Sequence, residues 1–115
     1  MKTPKELKDL GVMLTPPPKS WQGSFLNTIP VHYKELEKLL GVEFTSMGDK
    51  YSDEVYIKYK GFTFSIYCMN TSPRVGSVLT QKDEPRNSTT MAEASLELAE
   101  LIKRKVRDAD IPTVS

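Results

Sequence analysis

Cysteine and histidine are nearly missing from this sequence: each occurs once, as Cys68 and His32. A single cysteine excludes an intramolecular disulfide and leaves no set of thiolates for a zinc site. It fits a reducing, intracellular compartment. A single imidazole leaves Ser-His-Asp or Cys-His chemistry one arrangement, with His32 beside its nucleophile, and no motif marks it for that role. An excess of one charge is missing as well. The 115 residues carry 16 Lys+Arg against 15 Asp+Glu, a formal net charge of +1, which argues against a strongly basic nucleic-acid binder and against an acidic DNA mimic. No Walker-type glycine loop, GxGxxG, HExxH or CxxC occurs, so no cofactor or metal is expected. The opening MKTPKELKDLG lacks the apolar core of a signal peptide, and no apolar run reaches the roughly 18 residues of a membrane span. The expected place is the cytoplasm.

What is present suits a single globular domain, since 38% hydrophobic and 27% charged residues are neither a disordered nor a membrane composition. Thr3-Pro4-Lys5-Glu6 reads as a capping box that starts a short helix, with Gly11 as its stop and Leu7 and Leu10 as its contacts. So short a helix must dock on the body or on a partner. Val12-Met13-Leu14 and Thr15-Pro16-Pro17-Pro18 follow, the prolines forming a stiff extended spacer. Residues 1–19 are therefore expected as helix plus linker, 20–110 as the domain and 111–115 as a tail.

Within the domain, residues 20–27 read as a strand with Trp21, Gly23 and Phe25 on one face. Thr28-Ile29-Pro30 is expected to open a helix to about Leu40, with Ile29, Tyr33, Leu36 and Leu40 inward, Gly41 as its stop and His32 on the solvated side. The strongest pattern is Glu54 to Met69, EVYIKYKGFTFSIYCM. With Lys60-Gly61 as a two-residue turn, Val55, Ile57, Tyr59, Phe62, Phe64 and Ile66 share one face. Glu54, Tyr56, Lys58, Thr63, Ser65 and Tyr67 share the other. A slip of one residue would bury Lys58, so the register is well specified. A polar stretch, 70–88, follows, in which Val75 to Leu79 is expected as a short edge strand. Thr90-Met91-Ala92-Glu93 is a second capping box, opening a helix to about Asp108 with Met91, Ala94, Leu98, Leu101 and Ile102 inward. Acidic Glu93, Glu97 and Glu100 precede basic Lys103, Arg104, Lys105 and Arg107, the order the helix dipole favours, with Glu100 and Arg104 as an i,i+4 pair. The expected class is α+β: a small, mainly antiparallel sheet with a βαββα core, a short helix in front, and helices on the Ile57/Tyr59/Phe64 face.

From Trp21 to Tyr67 the chain resembles a family of small, phage-encoded accessory proteins. The corresponding residues are Gly23, Tyr33 and Leu36 with Gly41, the run Gly48-Asp49-Lys50-Tyr51, the pair Glu54-Val55, and Ser65-Ile66-Tyr67. The chain departs from that pattern at Val55 and Cys68. The resemblance implies a protein that blunts host defences by binding rather than by catalysis.

Two groups of residues could form a site. Tyr56 and Tyr67, diagonal on the polar face of the hairpin, have Lys58 nearby, and together they could stack and neutralise a nucleotide-like ligand. Arg74, Lys82 and Arg86 stand in the hydroxyl-rich stretch that runs into the helix start at Thr90, a setting that suits an anion. The leading expectation is a non-enzymatic protein that sequesters a small anionic ligand such as a cyclic or linear nucleotide. The alternative is an inhibitor that docks directly on a host defence protein by the N-terminal helix, the Pro16–Pro18 spacer or the exposed hairpin. Lys103-Arg104-Lys105 complements the helix dipole, so nucleic acid is not the expected partner. Leu96 with Ala92 and Ala99, outside the core stripe, would suit a homo-oligomer.

Overall fold

In the computed structural model, residues 2–18, 24–46, 51–69, 75–81 and 89–114 are described. The elements run α1 (Lys5–Lys8), β1 (Val12–Leu14), β2 (Ser24–Ile29), α2 (Tyr33–Leu40), β3 (Thr45–Ser46), β4 (Ser52–Tyr59), β5 (Phe62–Met69), β6 (Ser77–Gln81) and α3 (Thr89–Asp108). The six strands form one antiparallel sheet in the order β1-β4-β5-β6-β2, with β3 beside β1 on the β4 edge. The protein is α+β.

The central hairpin has the register that its alternation dictates: Tyr59 faces Phe62, Ile57 faces Phe64, Val55 faces Ile66, and Glu54 faces Tyr67. Lys60 and Gly61 both have positive φ, 52° and 85°, as a two-residue turn matched to strand twist requires. The apolar face of this hairpin, extended by Val12, Leu79 and Ile29, packs under the helices in one core with Leu36, Leu40, Met91, Leu98 and Ile102. Asn27 Nδ2 donates to Ser95 Oγ at 2.8 Å, so α3 lies across the β2 side of that face. Glu97 on the same helix accepts from Tyr59.

Several elements differ from the sequence pattern. Thr3 does not cap α1, whose N-cap residue is Pro4 without a side-chain hydrogen bond. Its Oγ1 instead accepts from the Leu14 amide at 3.2 Å and joins α1 to β1. Leu7 is fully buried, a burial that contributes about 2 kcal/mol and docks this four-residue helix on its own domain. Val12–Leu14 is an edge strand on β4, and Thr15 N donates to Tyr56 O at 3.1 Å, so the start of the spacer is held by the sheet. At the other end, Val114 N donates to Pro30 O at 2.8 Å, which ties down part of the expected tail.

Thr28 and Ile29 do not open α2. They pair with Val78 and Ser77 in the sheet, and the helix starts at Tyr33 with His32 as its N-cap. His32 is accordingly 8% exposed rather than on a solvated face. β6 is an interior strand between β5 and β2, not an edge, because β2 pairs along it. In α3, Ala99 is buried and only Leu96 and Ala92 remain exposed on the expected flank. Glu100 pairs with Lys103 at 3.5 Å rather than waiting for Arg104. No helix among the described residues is long and apolar enough to cross a membrane.

Candidate functional site: the outer face of the sheet

Strand alternation sends every second side chain of β4 and β5 away from the helices. Reading across the strands, that outer face carries Met13, Lys58 and Thr63 in one row, Tyr56, Ser65 and Thr80 in the next, and Glu54, Tyr67 and Val78 in a third. Ser52 and Met69 follow. Its floor is made of small hydroxyls: Thr63, Ser65 and Thr80 are buried, and Ser65 Oγ shares a 2.8 Å hydrogen bond with Thr80 Oγ1. Around that floor stand larger side chains. Tyr56 and Tyr67 are half-buried, Lys58 is exposed, and Met13 and Met69 are 57% and 43% exposed.

Tyr56, Lys58 and Tyr67 thus share a surface, and the two tyrosines are diagonal neighbours, as their parity required. Their hydroxyls are engaged. Tyr56 Oη donates to Glu54 Oε1, and Tyr67 Oη lies 3.3 Å from Ser52 Oγ. Burial first, then the bond to Glu54 and its charge, push the Tyr56 pKa well above that of a free phenol. Tyr56 therefore keeps its proton and acts as a donor.

Glu54 is the residue that the sequence pattern alone left out of this site. It is 2% exposed, in register with Tyr67 and bonded to Tyr56. Its parity with Tyr56 was the available signal. A carboxylate beside both tyrosines sets a negative charge where a phosphate would have to come close, and Lys58 is the basic side chain on the other side of Tyr56.

Thr90 is not part of this surface. It lies in the first turn of α3, a helix that already includes Thr89, so it is inside the helix rather than at its cap. Position 88, ahead of the helix, is outside the described residues. α3 packs on the inner face through Ser95 and Glu97, whereas Tyr56, Lys58 and Tyr67 are on the outer one. Arg74, Lys82 and Arg86 lie outside the described residues, as do Trp21, Gly23 and Asp49.

The groups with catalytic potential are held elsewhere. Cys68 is buried opposite Asp53 on the inner face, where burial pushes its thiol pKa up. His32 Nδ1 accepts the Lys34 amide at 3.3 Å as a helix cap. Among the described residues no group of three or more His, Cys, Asp or Glu could hold a metal ion. Comparison with known proteins found no matching family model, no matching curated protein and no matching solved structure.

Proposed function

We propose that this protein works by binding another protein through the outer face of its sheet, and not by catalysis. The observation that carries this reading is the patch of Met13, Tyr56, Lys58, Tyr67 and Met69 on the side away from the helices. Tyrosine and methionine are enriched at protein interfaces: the ring supplies contact area at little entropic cost, and the thioether adapts to an irregular partner. The Ser65–Thr80 hydroxyl pair is already withdrawn from water, so covering it adds little desolvation cost. The thiol and imidazole are both committed to structure, which supports binding over nucleophilic chemistry. The likeness to phage accessory proteins makes a host protein the partner to seek.

Immobilised wild-type protein should retain one partner from a host extract in near-equal amount, and Met13→Asp with Met69→Asp should lose it while the fold is kept. Equal capture by both forms, or capture of nothing, rejects the reading. Lys58 beside Tyr56 leaves sequestration of a small anionic ligand as the second reading. Calorimetry with cyclic and linear nucleotides tests it, and binding no tighter than millimolar rejects it.

A further inference from the structure

The β4 edge carries a second feature. Thr45–Ser46 pairs with Asp53–Glu54, and Val12–Leu14 pairs with Ile57–Tyr59. The stretch Val55–Tyr56 lies between these two short strands, and there a cleft of about 360 Å³ opens. That volume is within the range of small-molecule sites, about 300–1,000 Å³. Its walls are apolar, from Leu14, Pro17, Val42 and Val55, and among the described residues the charged side chains that line it, Glu43 and Glu54, are both acidic. Glu43 is exposed at the rim, whereas Glu54 is buried and fixed by the Tyr56 hydroxyl.

We propose that this cleft binds a small organic cation, an alkylammonium or alkylguanidinium with an apolar stem. The stem would lie against Leu14, Pro17, Val42 and Val55, where removal of its methylenes from water drives binding. The cationic head would meet Glu54, whose attraction is strengthened by its low-dielectric surroundings. Glu43 would hold the approach to the cleft negative. A carboxylate or phosphate ligand of the same size would bring its charge against both glutamates. The cleft shares Glu54 and Tyr56 with the outer face, but Leu14, Pro17, Val42 and Glu43 belong to the cleft alone, so Glu43→Gln probes the cleft and the Met13→Asp, Met69→Asp pair probes the outer face.

The test is an amide-shift titration of the whole ¹⁵N-labelled chain with n-hexylammonium, 1-hexanol and hexanoate in parallel. Hexylammonium should shift the Val42, Thr45 and Val55 amides saturably, and hexanol should bind about tenfold more weakly or worse. Hexanoate should leave these amides in place. Glu54→Gln should weaken hexylammonium by about tenfold and leave hexanol unchanged. Glu43→Gln, at an exposed position that the fold does not depend on, should weaken it by about twofold to threefold. The proposal is overturned if hexylammonium shifts none of these amides, if hexanol or hexanoate binds as well, or if Glu43→Gln and a folded Glu54→Gln both bind like wild type.

Discussion

The Tyr59 hydroxyl donates to Glu97 Oε1 at 2.5 Å, while Lys60 Nζ holds Oε2 of the same carboxylate at 2.8 Å. One side chain of α3 thereby grips both the end of β4 and the hairpin turn. The two partners push the acid and the phenol apart: Lys60 and then Tyr59 hold Glu97 below the usual carboxylate range, and burial followed by Glu97 raises Tyr59 to about 12. The signs differ. Stabilisation through Glu97 is present above its ordinary pKa of 4.5 and is lost as pH falls through its lowered value. Stabilisation through Tyr59 is complete below pH 10 and is lost as pH rises toward 12.

Tyr59→Phe should therefore cost about 1 kcal/mol at neutral pH, and the variant should lose part of the alkaline fall in stability. Denaturant midpoints from pH 7 to 11 check this. A wild-type slope retained in full by the variant would show that Tyr59 is not the titrating group.

Two glycines with the same φ requirement should respond differently to alanine. Gly61 has φ +85° and open space where a methyl would project, so Gly61→Ala should cost only the strain of the left-handed conformation, about 1 kcal/mol. At Gly41, φ is +64° and a Cβ would fall 2.6 Å from Glu6 Oε2 and 3.3 Å from Pro4 Cβ. Gly41→Ala must also turn the flexible Glu6 carboxylate aside and press slightly on Pro4, and should cost somewhat more. Chemical denaturation of both variants, repeated in a Glu6→Ala background, separates the terms. Relief of the Gly41→Ala excess by Glu6→Ala is expected, and equal costs in the parent background would refute the steric account.

His32 links the α2 cap to pH. Its Nδ1 accepts from Lys34 N, which requires that nitrogen to be unprotonated, and its Nε2 is buried without a hydrogen-bond partner among the described residues. Burial, then the Lys34 charge, lower its pKa below 6.5, against the opposing pull of Asp53, Glu35 and Glu37. The unfolded chain takes up the proton first, so stability should fall as pH drops below 6.5. His32→Asn keeps a capping oxygen but cannot titrate. Urea midpoints between pH 7 and 5.5 should slope in wild type and flatten in the variant, and parallel slopes would exclude His32 as the cause.

The hairpin was legible because sixteen consecutive positions, Glu54 to Met69, sort by parity around a glycine turn, and a local pattern of that length fixes its own register. Strand order is a different matter. Nothing within Val75–Leu79 says that β2 will pair on its far side, so an interior strand reads like an edge. Thr28-Ile29-Pro30 imitates a helix start, while the actual cap is an imidazole outside the usual Ser, Thr, Asp and Asn set. The site was half legible. Parity placed Tyr56, Lys58 and Tyr67 together, but it says nothing of Thr90, which belongs to a helix that packs on the opposite face of the sheet. The edge cleft was invisible because it joins residues 14–17, 42–45 and 54–56, which only the sheet assembles.

Cys68 offers a direct reading of how firmly that assembly holds. Its sulfur lies 3.4 Å from Met69 O, 3.9 Å from Val75 O and 3.7 Å from Gly76 O, buried where the end of β5 meets the approach to β6. Two barriers oppose reaction with a disulfide reagent: the reagent must reach a buried atom, and the raised pKa leaves little thiolate. Reaction should therefore pass through an opened state, and its rate should be at least about a thousandfold below that of the unfolded chain. Ellman's reagent under native and denaturing conditions measures the ratio. If opening is global, low urea should speed native labelling with the full equilibrium m-value. Slow labelling that ignores urea would instead place the opening locally, around Met69, Val75 and Gly76. Native labelling within about tenfold of the unfolded rate would contradict the buried placement of Cys68.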